Sequence, residues 1–296
     1  MKRIGFVGLG VMGAPMAECL LRSDFEVTAY DVREQAVATL VASGARAARQ
    51  LEDIAPCDAA IVMVNTNAQA RAVIGRLIDR LRAVPRPIFC MSTILPSTIR
   101  ELAGAASAAG VDLLDAPVSG GPIVAQMGAL AIMVGGDRQL FEAARPVFQA
   151  MGNAVTHVGP LGSGLTVKLV NNMIAISALP LVVEALCIGL QQGLELATMV
   201  EVIKASSGNT WLTDNWERAR MFMEFVLQDP AQAEPLMKTG QKDMELAATL
   251  CDQAGIEAPM LRHSITALQS QLGGHLIANV RTLLQQAAKE ANVHTT

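Results

Sequence analysis

The stretch Gly8-Leu9-Gly10-Val11-Met12-Gly13 stands between a buried apolar run, Ile4–Val7, and an Ala- and Leu-rich segment, Met12–Arg22. This order predicts a strand, a tight turn and a helix. The first glycine permits the turn, the second lets a pyrophosphate approach the backbone, and the third allows the helix to pack closely on the strand. The pyrophosphate would lie on the free N–H groups of the helix N-terminus, so the stretch predicts a dinucleotide site.

Asp31 narrows the choice of dinucleotide. A second predicted strand, Glu26–Tyr30, ends at this residue, as the dinucleotide-binding pattern requires. A carboxylate there accepts hydrogen bonds from the ribose hydroxyls and repels a 2′-phosphate, which favours NAD. Arg33, two residues further on, offers a cation to a phosphate, so NADP stays possible.

The first half of the chain alternates short apolar runs with Ala-rich helical segments, which predicts a doubly wound parallel sheet covered by helices on both faces. The predicted strands are Arg3–Val7, Glu26–Tyr30, Ala59–Val64, Pro87–Met91, Asp112–Asp115, Ala131–Val134 and a last one at Val155–Pro160. The predicted helices are Met12–Arg22, Arg33–Ser43, Gln69–Leu81 and Ser97–Ala109.

Beyond Gly164 the strand signal disappears, and residues 165–196 have a continuous helical pattern followed by further helical segments. We therefore expect a Rossmann-type NAD(P)-binding domain at 1–162 and an all-α domain at 163–296, which begins with a long interdomain helix at about 163–196. The apolar part of this helix, Met173–Leu190, contains Glu184, which would cost several kcal/mol in lipid. We expect it to be buried in a homodimer or homotetramer instead of crossing a membrane.

Composition excludes several classes of protein. Apolar residues make up 51% and charged residues 17%, which excludes a disordered chain, and the net charge of −4 leaves no basic footprint for nucleic acid or an anionic membrane. The cysteines form no CxxC pair, and a reduced, cytoplasmic location fits them best. The four histidines, among them His157 and His294, lack ligand spacing, so no metal site is expected.

Two further segments carry chemistry. Residues 115–122 form a second glycine-rich stretch, in which the Ser119 hydroxyl and the N–H groups of Gly120 and Gly121 suit a carboxylate, although a simple turn is an equal alternative. Lys168 and Asn172 are four residues apart, hence on one helical face. Taken alone, a lysine on such an apolar helix is more often a residue whose stem snorkels to solvent.

Together, these segments resemble the β-hydroxyacid dehydrogenases, the family that contains 3-hydroxyisobutyrate dehydrogenase, tartronate semialdehyde reductase and L-threonate dehydrogenase. The resemblance covers about residues 3–260. It rests on the segments at 6–17, Met91-Ser92-Thr93, 115–121, 164–172 and Lys242-Asp243.

The resemblance implies a hydride transfer between NAD(P) and a small 3-hydroxy acid or its semialdehyde. It implies that Lys168 is the general acid/base, that Asn172 positions Lys168 and the substrate, and that Ser119, Gly120 and Gly121 hold the substrate carboxylate. Thr93 would contact the substrate or the nicotinamide ribose, and Lys242 would approach the cofactor from the second domain.

Two other functions stay open at this point. Imine reductases share the architecture but usually have another residue where Lys168 stands, and a non-catalytic dinucleotide-binding protein would typically lack this lysine. The stretch Arg218–Gly240 matches no subgroup of the family, so the substrate is not identified by sequence.

Overall fold

The computed structural model describes residues 1–228, 230–271 and 274–293, and the chain divides into two compact units, Met1–Leu169 and Val170–Thr296. The division lies within a long helix, whereas the sequence analysis placed it where that helix begins. A helix that leaves one unit and enters the next belongs to both, so its first residue is not the point where the contacts separate.

The first unit, which is described throughout, is built on one nine-stranded sheet with helices on its two faces. Its strands are β1 Arg3–Val7, β2 Glu26–Tyr30, β3 Arg46–Ala47, β4 Ala59–Val62, β5 Ile88–Cys90, β6 Leu113–Asp115, β7 Val118–Ser119, β8 Ala131–Gly136 and β9 Ala154–Gly159. Its helices are α1 Gly13–Arg22, α2 Glu34–Ala42, α3 Asn67–Leu81, α4 Pro96–Ala108, α5 Gly121–Gln126 and α6 Arg138–Gln149, with a 3₁₀ helix at Leu51–Ile54.

The strands β3-β2-β1-β4-β5-β6 are parallel and lie in this order, so the chain reverses its direction of winding between β1 and β4. This is the Rossmann order, and the crevice at the carboxyl ends of β1 and β4 is where such sheets bind their ligands. The predicted fold class is confirmed.

The sequence analysis predicted a parallel sheet, but the observed sheet is not parallel throughout. Strand β8 runs antiparallel to β6 and β7 and parallel to β9. Between β7 and β8 the chain forms only the short helix α5, and an antiparallel neighbour needs no long crossover. Two-residue strands such as β3 and β7 carry no periodic signal in the sequence, which is why neither was predicted.

Alternating residues of the buried strands supply two apolar cores, one on each face of the sheet. In β4, Ile61 packs into a core with Phe6, Leu20 and Phe148, whereas Val62 packs on the opposite face with the apolar side of α3. Because both faces of β4 are buried, this strand is apolar at every position.

Helix α6 is not among the predicted helices, and it contains Pro146, which lacks an N–H group and disfavours a helix interior. Its apolar face nevertheless buries Phe141 and Phe148 against the sheet, and the Asp137 side chain caps its N-terminus by accepting a hydrogen bond from the Leu140 N–H at 2.7 Å. Burial and capping outweigh the single backbone bond that proline removes.

The second unit is helical over its described residues. Its helices are α7 Ser163–Gln191, which begins in the first unit, and α8 Leu196–Lys204, α9 Trp211–Asp214, α10 Trp216–Gln228, α11 Pro230–Ala254, α12 Pro259–Gln271 and α13 His275–Val293. Helix α7 ends before the predicted residue 196 because Gly193 adopts a φ of 78°, at which the Leu194 N–H bonds back to the Gly189 carbonyl. Within the described residues, α7 is the one helix long and apolar enough to span a membrane.

Candidate active site

The glycine-rich turn joins β1 to α1, and the surroundings of its three glycines differ. Gly8 has a φ of 95°, and a Cβ there would overlap the carbonyl of Met63. A Cβ on Gly13 would overlap the carbonyl oxygen of Gly8, so α1 packs directly on the turn. A Cβ on Gly10 would meet no atom within 4 Å. Gly10 therefore borders open space, whereas Gly8 and Gly13 serve the packing of the turn itself.

Asp31 follows β2 and is tied to this turn. Its side chain is 7% exposed and accepts hydrogen bonds from the Leu9 N–H at 2.7 Å and from the Arg33 N–H at 2.9 Å. The Arg33 guanidinium donates to the same carboxylate, with Nε at 3.0 Å, and to the Leu9 carbonyl at 3.0 Å. Burial alone would raise the pKa of Asp31, but these donors outweigh it and lower the pKa below its ordinary value. Asp31 is therefore ionised at neutral pH.

These features fit a bound dinucleotide. Gly10 borders open space beside the turn, and the ionised Asp31 follows β2, where this type of sheet binds the ribose of a dinucleotide. Residues 8–13 would therefore hold the pyrophosphate and Asp31 the ribose, while the exposed guanidinium of Arg33 would offer a cation to a 2′-phosphate.

Thr93 lies in the loop that follows β5, and hydrogen bonds made by neighbouring residues hold this loop in place. The buried Ser92 hydroxyl accepts a hydrogen bond from the Val64 N–H at 2.7 Å, and the Asn67 side chain accepts one from the Leu95 N–H at 2.9 Å. The loop thus connects the ends of two neighbouring strands with the start of α3. Neither Ser92 nor Asn67 was identified from the sequence as supporting Thr93, because both act through contacts distant in the chain.

Ser119 ends β7, and the two glycines that follow it turn the chain into α5. Gly120 and Gly121 have φ values of 141° and 75°, a region that favours glycine. A Cβ on Gly120 would also lie 2.7 Å from the Val124 side chain. The segment therefore has a structural need for glycine in addition to the carboxylate-binding role that the resemblance implies.

Lys168 and Asn172 lie one turn apart on α7 and are 7% and 8% exposed. A polar side chain buried to this extent needs polar partners, so a snorkelling lysine does not describe Lys168. In the second unit, Asn172 Nδ2 donates to Asp243 Oδ2 at 2.7 Å, and Lys242 Nζ lies 3.0 Å from Asp243 Oδ1.

Asp243 thus brings together two residues predicted from sequence, Asn172 and Lys242. Asp243 is 3% exposed and was quoted from the sequence only as the neighbour of Lys242. Its carboxylate holds the amide nitrogen of Asn172, so the amide oxygen is left for another donor. The Asn171 side chain donates one hydrogen bond to the Asn172 amide oxygen at 3.2 Å, and an amide oxygen can accept two.

The side chains of His157 and Trp211 have structural partners. His157 Nε2 lies 2.8 Å from the Gly136 carbonyl, and its ring packs on Phe141. Trp211 donates to the Ala175 carbonyl at 2.9 Å within the helical unit. His294 lies outside the described residues, and among those that are described no group of three His, Cys, Asp or Glu side chains could hold a metal ion.

The sheet order, the glycine-rich turn and Asp31 define a dinucleotide-binding protein. Two family profiles match the chain, one described as the NAD binding domain of 6-phosphogluconate dehydrogenase, over residues 3–159, and one as the NAD-binding domain of NADP-dependent 3-hydroxyisobutyrate dehydrogenase, over residues 162–288. The chain belongs to the β-hydroxyacid dehydrogenase family, whose members use NAD(P).

Individual relatives agree with this assignment. An NAD-dependent L-serine dehydrogenase of Pseudomonas aeruginosa is 40% identical over 71% of this chain and 72% of its own length. A 2-(hydroxymethyl)glutarate dehydrogenase of Eubacterium barkeri is 34% identical over 91% of this chain and 87% of its own. The structure of a Mycobacterium tuberculosis 3-hydroxyisobutyrate dehydrogenase solved with L-serine is 28% identical, with a TM-score of 0.80, and the alignment covers 96% of this chain and 99% of that one.

Proposed function

We propose that this enzyme transfers a hydride between NAD and a small 3-hydroxy acid, or the corresponding semialdehyde, with Lys168 as general acid/base. The observation that carries the proposal is the burial of Lys168 one turn before Asn172, whose amide is held by Asp243. An amine in such surroundings is suited to exchanging a proton with a substrate hydroxyl rather than to solvation.

Each residue of the candidate site has its own role in this proposal. When bound, the nicotinamide accepts the hydride in oxidation and returns it in reduction. Lys168 takes the hydroxyl proton in oxidation and donates it in reduction, while Asn172 orients the substrate hydroxyl and the lysine. Ser119 and the N–H groups of Gly120 and Gly121 hold the substrate carboxylate. Thr93 would contact the substrate or the nicotinamide ribose, and Lys242 would approach the cofactor.

The names of the relatives narrow the substrate class. L-Serine, 2-(hydroxymethyl)glutarate and 3-hydroxyisobutyrate all carry a hydroxymethyl group on the carbon next to a carboxylate, and they differ in the third substituent of that carbon. We expect the substrate to share this hydroxymethyl-carboxylate unit. Purified enzyme should reduce NAD with at least one acid of this type, measured as the increase in NADH absorbance at 340 nm. If no such acid is oxidised and cyclic imines are reduced instead, the enzyme is an imine reductase and the proposal is wrong.

The cofactor preference depends on Asp31. We expect kcat/KM to be at least about tenfold higher with NAD than with NADP, equivalent to roughly 1.4 kcal/mol. Asp31→Asn should reduce this ratio because it removes the charge that repels a 2′-phosphate. Arg33→Gln should instead lower the activity with NADP more than the activity with NAD, because it removes the cation that would meet a 2′-phosphate. Steady-state kinetics with both cofactors test this prediction, and a wild-type preference for NADP would show that Arg33 outweighs Asp31.

We also propose that α7 forms an interface between copies of this chain. Val167, Ile174, Leu181 and Ile188 repeat every seven residues along α7 and are 40%, 67%, 68% and 66% exposed. Such a stripe matches the seam by which two helices pack together.

Leu181→Glu should therefore dissociate the oligomer into smaller species, because it places a charge in the seam. Light scattering at micromolar concentration measures the change in molar mass. Ile256→Glu is a matched control, since Ile256 is 60% exposed outside this stripe. A monomeric wild-type protein, or one recovered only from membranes, would contradict the proposal.

A further inference from the structure

Asp115 is a buried carboxylate with no assigned role. It is the last residue of β6, pairs with Cys90 of β5 and Gly135 of β8, and is 0% exposed. Its two oxygens bond to the segment that begins α7: Oδ1 accepts from the Gly162 N–H at 2.6 Å and Oδ2 from the Leu165 N–H at 2.8 Å. A residue from the middle of the sheet therefore caps a helix that begins some fifty residues later.

This cap replaces one that the local sequence lacks. The residue before α7 is Gly162, which has no side chain to satisfy the free N–H groups of the first turn. The carboxylate of Asp115 takes that place, and its negative charge complements the positive end of the helix.

The backbone of two neighbouring glycines packs closely around the Asp115 carboxylate. A Cβ on Gly164 would lie 2.9 Å from Asp115 Oδ2, and a Cβ on Gly135 would overlap Oδ1. The first turn of α7 therefore packs against the carboxylate at backbone distance. Burial raises the pKa of Asp115, and the N–H groups of Gly162 and Leu165 only partly oppose that effect. Holding a carboxylate here costs desolvation free energy, so capping stability alone is a weak reason for it.

We infer that Asp115 is a positioning residue, which fixes the first turn of α7 against β6 and so sets Lys168 in register with the substrate segment Ser119–Gly121. Lys168 follows Leu165 by less than one helical turn, and Ser119 follows Asp115 by four residues along β6 and β7. One side chain thus fixes the starting points of both segments. This inference rests on the proposed role of Lys168.

The test is a double-mutant cycle between Asp115→Asn and Lys168→Ala. Asparagine keeps the shape of the side chain but presents an amide N–H₂ to one of two backbone donors, so α7 must shift. We expect kcat to fall about ten- to a hundredfold, as for a misplacement of about 1 Å, with the NADH Kd changed less than about twofold. In the Lys168→Ala background the same substitution should cost less than about threefold, since the group that it positions is already absent.

Asp137→Asn is the matched control, because Asp137 also caps a helix of the first unit, α6, and should retain wild-type kcat. An equal loss from Asp115→Asn in both backgrounds, or retention of more than half of kcat, would overturn the inference. A harmless Lys168→Ala would instead remove the proposed function, which keeps the two failures distinct. If Asp115→Asn does not fold, Asp115→Ser, which is smaller and keeps one acceptor, is taken through the same cycle.

Discussion

Lys168→Ala should lower kcat by about 10²–10⁴-fold, or roughly 3–5 kcal/mol of barrier, the range expected for a general acid/base. The NADH Kd should stay nearly unchanged, because the glycine-rich turn joins β1 to α1 and Asp31 follows β2, whereas Lys168 is on α7. Steady-state kinetics and fluorescence titration with NADH measure the two effects separately. If the variant kept more than about a tenth of wild-type kcat, Lys168 would not be the proton-transfer group.

Two further variants separate proton transfer from charge and from position. Lys168→Arg should fail nearly as completely as Lys168→Ala, since a guanidinium keeps its proton near neutral pH. Asn172→Ala should cost less, because the amide orients the reacting groups and transfers no proton. If arginine restored activity, the role of Lys168 would be electrostatic.

The pH dependence gives an independent check on Lys168. Oxidation of an alcohol requires the neutral amine as base, so the wild-type rate of oxidation should rise with pH. Reduction requires the ammonium as acid and should have the opposite dependence. Both dependences should be absent from Lys168→Ala, and their persistence would assign the proton transfer to another group.

The parts of the fold that the sequence predicted are those with a local signal. Strands β1 and β2 begin and end at the predicted residues, because apolar runs bounded by a glycine turn and by Asp31 leave no other register. Helix α6 was not predicted, and its Pro146 is a local signal against a helix that tertiary burial overrides. The antiparallel direction of β8 depends on the length of a connection and on pairing, which no single segment specifies.

The same distinction applies to the candidate site. The spacing of Lys168 and Asn172 is local, so a helix of any kind places them on one face. The two carboxylates that support them are not local: Asp243 is 71 residues from Asn172, and Asp115 is 47 residues from Gly162. Sequence gives the identity of such residues but not their partners, because the partner is chosen by the packing of the whole unit.

Gly10→Ala should abolish high-affinity cofactor binding in a protein that folds normally. The backbone at Gly10 has no positive φ, and the added methyl meets no atom of the protein within 4 Å, so the fold accepts it. The methyl would instead occupy the space that a pyrophosphate must enter. If that overlap costs as much as overpacking a core, roughly 1–3 kcal/mol, the NADH Kd should rise by about ten- to a hundredfold or more.

Two other glycine substitutions make this result specific. Gly75→Ala, in the interior of α3 and also bordered by open space, should raise the free energy of unfolding by about 1 kcal/mol and leave NADH binding unchanged. Gly13→Ala should lower the free energy of unfolding, because its methyl would overlap the Gly8 carbonyl. Thermal unfolding and NADH titration of the three variants therefore distinguish a glycine that the fold requires from one that the ligand requires. A wild-type NADH Kd in Gly10→Ala would mean that the pyrophosphate does not lie on this turn, because no bound phosphate group could then be sharing the space of the added methyl.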